Sequence, residues 1–265
     1  MKNILLLVHD DAGQEARLQV ALDLTRALGG HLTCIDVVQM VYGADGLYGS
    51  NVDFLLADEQ TRETLNQRKL VARLANEAVA WTWIDRVGDL AGCVVRAAGL
   101  ADVIVVNRRL GSNPLDMAAV AASVAIETHK PVIAVADTVR SFDTGGRTLI
   151  AWDGSLPVMS ALSASLPLLK LAAAVDILEI DLADDAAPAE EAAEYLSRHG
   201  IHAEIVRIEA HGEHVDAVIR RYGMTHGSNY CVMGAYGHSR IAEALFGGVT
   251  RRMLQRAEFP LLLVH

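Results

Sequence analysis

The run Gly234-Ala235-Tyr236-Gly237-His238, then residues 239–246, then Gly247-Gly248-Val249-Thr250 is the part of this chain best suited to chemistry. Glycines let a backbone turn sharply and come close to a ligand. The apolar run Cys231-Val232-Met233 precedes it. A helix is predicted to open at Val249, because Val249, Met253, Leu254 and Ala257 share one helical face. The first N–H groups of such a helix, at Gly248, Val249 and Thr250, find no partner within it, and with the helix dipole they make an anion site. Arg240, Arg251 and Arg252 are near enough in sequence to add positive charge. This is not a Walker loop, since no Lys-Ser/Thr follows the glycines. Nor is it the dinucleotide fingerprint, since it follows the fourth strand of its unit rather than the first. Glycines that merely shape loops would give the same pattern.

Asp153 closes another apolar run, in Trp152-Asp153-Gly154-Ser155. In a doubly wound sheet the first and fourth strands flank the switch point, and ligands sit beyond their carboxyl ends. Asp153 and Gly234–Gly237 would then face one crevice. An aspartate there accepts hydrogen bonds from a ribose or an adenine, or it caps the helix that follows; Ser155 reads as that helix's cap. Other candidates are weaker. His199-x2-His202 and His211-x2-His214 have metal-ligand spacing, but a metal needs three or four ligands, so both pairs read as loop histidines. Cys34 and Cys231 fall inside apolar runs and read as core. Cys34, Cys93 and Cys231 are far apart and odd in number, so they form no disulfide framework. No nucleophile elbow or Ser/His/Asp set is evident.

These residues must be positioned by a larger pattern, and the chain writes that pattern twice. With a constant shift of 143, Val8-His9-Asp10 falls on Ala151-Trp152-Asp153, and Cys34-Ile35-Asp36-Val37 falls on Ile177-Leu178-Glu179-Ile180. Pro131–Val135 parallels Pro260–Val264. In each half, short apolar runs alternate with helix-period segments. Five runs so joined imply parallel crossovers and a sheet covered on both faces. Residues 1–137 and 147–265 are the two expected domains, and the polar stretch 138–146, which ends in Gly145-Gly146, is the expected linker. Pro167 is expected to kink or end its helix. The Gly- and Tyr-rich stretch after Val41 reads as a long loop.

Composition agrees. The chain has 265 residues, 52% of them hydrophobic and only 5% aromatic, so a large aliphatic core is expected and wholesale disorder is excluded. The net charge of -10 argues against a protein that coats nucleic acid. Each half carries a net charge of -5, so neither is an acidic tail or a basic arm. The longest weakly charged stretch, Leu156–Leu169, holds two prolines and makes a poor membrane span. A soluble, reducing, cytoplasmic setting is the expectation, with neither nucleic acid nor membrane as a partner.

Two such units, with Gly234-x2-Gly237-x9-Gly247 after the fourth strand of the second and Asp153 upstream, resemble a tandem universal stress protein over nearly the whole chain. The resemblance implies an α/β fold: two tandem, doubly wound, five-stranded parallel sheets, each a Rossmann-like α/β/α sandwich. It also implies an ATP site (or AMP or ADP, with Mg2+ allowed) in the second unit. Residue by residue, the positions carried over are Asp153, Ile180 at the end of the second strand, Gly234, Gly237, Gly247, Gly248, Val249 and Thr250. The family usually has Ser or Thr directly after the third glycine. Gly248 stands there instead, so a hydroxyl contact to phosphate is lost while the N–H remains. In the first half the matching positions are Asn107-Arg108-Arg109-Leu110 and Ala118-Ala119-Val120-Ala121. Their Cβ atoms would obstruct a phosphate, so the first unit is not expected to hold ATP. Arg108 and Arg109 read as a solvated pair.

The resemblance implies a regulatory protein that responds to stress, without committed catalysis. An ATPase or nucleotidyl-transfer enzyme on this scaffold would lean on Glu243, the acid within the motif loop. A receiver would use Asp10-Asp11 with Asp85, but the fifth strand ends without the required lysine. A nucleotide-free interaction module is the fourth reading. The two short apolar fifth strands are open edges that need covering. An intramolecular pseudo-dimer is therefore expected, with two chains free to associate further as a dimer.

Overall fold

A computed structural model describes residues 1–39, 52–108, 117–235 and 248–265. In the first half, β1 (Asn3–Val8), α1 (Gln14–Leu28), β2 (His31–Gln39), α2 (Val52–Leu74), β3 (Ala80–Gly88), α3 (Leu90–Ala97), β4 (Val103–Asn107), α4 (Met117–Thr128) and β5 (Val132–Val135) alternate strand and helix. The second half repeats this with β6 (Arg147–Trp152), α5 (Leu156–Leu169), β7 (Ala174–Ile180), α6 (Ala189–Arg198), β8 (Glu204–Ile208), α7 (Val215–Thr225), β9 (Ser228–Gly234), α8 (Val249–Arg256) and β10 (Leu261–Val264). Each half is an α/β unit in which the first strand lies between the second and the fourth.

The ten strands among the described residues join one sheet in the order β3-β2-β1-β4-β5-β10-β9-β6-β7-β8. Pairing is parallel within each unit and antiparallel only where β5 meets β10, with Leu262 opposite Ile133. Those two strands are apolar and fully buried, so the seam leaves neither as an open edge. The true edges are β3 and β8, which are half exposed.

Alternation along the strands sends side chains to both faces. Ile4, Leu6 and Val8 pack on one face with α1, α2, α5 and α6. Leu5 and Leu7 pack on the other with α3, α4, α7 and α8. Each face is continuous across the seam: Ile133 and Leu262 share one, Ala134 and Leu261 the other. Pro167 sits inside α5, and the helix stops two residues later at Leu169. Segment 138–146 has no helix or strand. Its Val139 and Phe142 are nevertheless buried, and the Phe142 ring lies against Tyr230. None of the helices, among the described residues, is long and apolar enough to cross a membrane.

The order also removes the receiver reading. A receiver needs its third-strand aspartate beside the first strand. Here β2 separates β3 from β1, and Asp85 is exposed, accepting hydrogen bonds from Trp83 Nε1 at 2.8 Å and Gln67 Nε2 at 3.1 Å.

Candidate functional site

In the second unit, Ala151 pairs with Met233 and Val264 with Gly234, so β6, β9 and β10 end together. The strand order reverses between β6 and β9, which opens a crevice at their carboxyl edge. Asp153 stands exposed at its rim. One carboxylate oxygen accepts from the N–H of Ser155 at 3.0 Å and from its hydroxyl at 2.6 Å. Ser155 in turn caps α5 by accepting from the N–H of Val158. Asp153 thus holds the cap, its second oxygen remains available, and the capping reading of Ser155 is the one realised.

Two glycines show why this corner has no room for side chains. Gly154 has φ +67°, and a Cβ there would lie 2.6 Å from the carbonyl oxygen of Ala187. That same oxygen accepts from Trp152 Nε1 at 2.8 Å, so the loop after β7 is drawn over the end of β6. Gly234 is packed against the start of α5. A Cβ would sit 2.7 Å from Val158 N and 3.0 Å from both the carbonyl carbon and Cβ of Pro157. Two of these neighbours are backbone atoms, so the first turn of α5 would have to move. Gly234→Ala is expected to lower stability by about 1–3 kcal/mol, read as a fall in the urea midpoint; a wild-type midpoint would show that the contact is not this close.

Ile180 ends β7, half-buried and opposite Ile208. Asp181 follows at φ +42° and accepts from the N–H of Ala210 at 3.2 Å, which ties the ends of β7 and β8 together. A helix that precedes a parallel strand runs back against it, so α8 begins at the carboxyl edge, on the crevice side. Gly248 is its N-cap and supplies no capping side chain. Val249 is half-buried and Thr250 buried in the first turn. The structure therefore brings Asp153, Ile180, Gly234, Gly248, Val249 and Thr250 to one edge. Gly237, Gly247, Arg240 and Glu243 lie outside the described residues. Arg252, in the first turn of α8, donates its Nε to the buried Asp216 of α7.

The matching corner of the first unit is filled. Arg17 is wholly buried. It donates to Asp11 with both terminal nitrogens, at 2.9 and 2.7 Å, and to the carbonyls of Leu7 and His9 at 3.1 Å. Asn107, also wholly buried, donates to Asp11 at 3.3 Å, and its amide lies 2.2 Å from where a Cβ on Gly13 would be. The backbone of Ala118–Ala121 is already helical, because α4 opens at Met117. Arg108 is not solvated. It is half-buried and reaches across the seam to the Met253 carbonyl at 3.3 Å, a role hidden from local sequence because its partner lies in the other unit. Arg109 lies outside the described residues.

Beside this corner is a polar cluster that sequence spacing did not reveal. His9 Nδ1 and Glu63 Oε1 are 2.8 Å apart, and both side chains are buried. Burial acts to lower the pKa of His9, but Glu63, aided by Asp11 and Glu59, holds it above its ordinary value. Burial acts to raise Glu63, and His9 with the Asp10 and Asn66 donors holds it below. Burial first, then the charges of Glu63 and Asp85, push Asp36 up to about 7. The legible signal was Glu59 and Glu63 at i, i+4 on one helix. The partner, His9, lies more than fifty residues away.

Cys34 and Cys231 are poor nucleophiles. Burial pushes Cys34 and Cys231 up to about 12, with Asp36 adding to the first. The described histidine pairs do not gather further ligands: His211 approaches Glu209 at 3.6 Å, fully exposed.

Residues 148–265 match the universal stress protein family. The whole chain is similar to Universal stress protein Slr1230 of Synechocystis sp., 27% identical over 301 aligned residues that span 99% of each protein. Among solved structures, a universal stress protein from Archaeoglobus fulgidus superposes with a TM-score of 0.75 at 16% identity, covering 99% of this chain and 96% of that one. A putative universal stress protein from Pseudomonas aeruginosa does so with a TM-score of 0.58 at 16% identity, covering 99% and 93%. At such identities the structural likeness speaks for the fold.

Proposed function

As residues 148–265 match the universal stress protein family and the whole chain is similar to one of its members, we propose that this is a tandem protein of that family whose second unit binds ATP, and that binding, rather than turnover, is its task. The observation that carries this reading is the start of α8. A helix opens at the crevice edge behind a glycine cap, which supplies no capping side chain of its own. Amides at such a helix start attract a phosphate group. Asp153 would take the ribose or adenine, Ile180 would flank it, and Gly234, Gly237, Gly247, Gly248, Val249 and Thr250 would form the phosphate side. AMP or ADP would use the same contacts with fewer phosphates, and Mg2+ would arrive with the phosphates. Without a hydroxyl at Gly248, the grip relies on main-chain N–H groups.

The first unit is left without ATP, because Arg17, Asp11 and Asn107 occupy its corner. The β5–β10 seam supports reading residues 1–137 and 147–265 as the halves of an intramolecular pseudo-dimer joined through 138–146. Ligand in one half would then bias a surface shared by both. Calorimetric titration of the nucleotide-free full chain with ATP is expected to give one site per chain. Two sites, or none, would overturn this assignment.

A further inference from the structure

The cluster in the first unit has the make-up of a cation site. His9, Glu59 and Glu63 each place one ligand atom within 4.8 Å of the others, and this is the one such group among the described residues. Ligands about 2.0–2.2 Å from a shared ion lie roughly 3–3.6 Å from one another, inside the range this group spans. The local architecture explains the gathering. His9 follows the last residue of β1, and Val8 pairs with Asp36 on β2. Helix α2 lies over the same face, turning Glu63, Asn66, Leu70 and Leu74 inward. Glu59 stands one turn before Glu63, at the half-buried mouth.

One orphaned atom points to a ligand. Nδ1 of His9 is 2.8 Å from Glu63 Oε1, an ion pair that a cation held by both would replace. Asp36 is 4% exposed, sits beside Glu63 and His9, and has one carboxylate oxygen, Oδ1, with no hydrogen bond. A buried carboxylate oxygen left bare is costly unless something positive meets it. On the open side Arg62, half exposed, pairs with Glu59 at 2.7 Å and comes within 3.8 Å of Asp10 and of Glu63. It is a removable counter-charge that an ion would displace.

We propose that the first unit binds one divalent cation through His9, Glu63 and Glu59, with the buried Asp36 nearby as a further acidic group. One imidazole with carboxylates suits Zn2+ or Mn2+ better than Ca2+, which takes oxygens alone, or a soft ion, which prefers sulfur. The ion would clamp α2 to the ends of β1 and β2.

The test uses the full chain, chelator-treated and free of nucleotide, titrated calorimetrically with ZnCl2 and separately with MnCl2, with thermal unfolding followed in parallel. One ion per chain is expected for at least one of the two, with a rise in Tm, since an ion that binds only the folded state stabilises it. Glu59→Gln, at the mouth, preserves the core and is expected to weaken binding at least about tenfold; His9→Gln is expected to remove it. Circular dichroism establishes that each variant is folded. Should His9→Gln not fold, Glu59→Gln alone decides. No binding of either ion would overturn the proposal and leave a buried His9–Glu63 ion pair. Binding unchanged in the folded variants would overturn it equally, by placing the ion elsewhere.

Discussion

Arg17→Ala is expected to cost about 3–5 kcal/mol of stability, the range for breaking one side of a buried ion pair. Arg17 has no exposed surface, and Asp11, its partner, is nearly as deep, with 7% of its side chain exposed. The guanidinium meets both carboxylate oxygens in a fork and uses its remaining donors on two main-chain carbonyls, those of Leu7 and His9. Alanine would leave Asp11 with only the Gly13 N–H and the Asn107 amide, and would strip both carbonyls of a partner. The measurement is urea unfolding, with a fall in midpoint at unchanged slope. A second variant separates the pair from its surroundings. Arg17→Met with Asp11→Leu removes both charges while keeping volume, and buried pairs so replaced are often neutral. Recovery of most of the loss is expected. A single-variant cost below about 1 kcal/mol, the range of exposed pairs, would show that water already reaches this site.

That network also shows where sequence reading stops. The strands were legible because a short apolar run bounded by turn residues fits a buried strand and is too short for a helix: Leu261–Val264, after Pro260, is apolar from end to end, and it is a strand from end to end. The helix starts at Leu156 and Val249 were legible from Ser155 and from periodicity, which are local signals. Arg17 was not. By residue type it belongs on a helix surface, yet α1 buries Ala16 through Leu18 and Val20 through Leu22, so a charged residue went inside with a partner six positions earlier. Phe142 was hidden for the opposite reason, one of two apolar residues in a polar stretch, with a contact, Tyr230, that is remote in sequence. His9 and Glu63 failed the same way. Ligand spacing of the kind seen at His211 and His214 is visible in a string of letters, whereas a cluster assembled from a strand end and a helix is visible only once the sheet order is known. Of the second-unit site, the crevice edge was legible because strand ends carry it; the packing role of Gly234 against Pro157 and Val158 was not, since it depends on where α5 lies.

Gly237→Val is expected to weaken ATP binding at least about a hundredfold, roughly 2.7 kcal/mol, with little change in the fold. The reasoning rests on what the two halves do with equivalent positions. In the first half, Ala118 and Ala119 stand where Gly247 and Gly248 stand in the second, and helix α4 has already begun at Met117. In the second half, the helix waits until Val249, behind a bare glycine cap. On the proposed ATP reading, its start would offer main-chain donors, and Gly237 would leave room for the phosphates. A branched side chain at Gly237 would occupy that room. The neighbouring β9 and β10 are buried and paired independently of the loop, so thermal unfolding should be close to that of wild type. Valine at Gly237 therefore separates binding from folding. A calorimetric titration giving wild-type ATP affinity in the folded variant would move the phosphates away from this loop, and with them the role assigned to Gly247, Gly248, Val249 and Thr250.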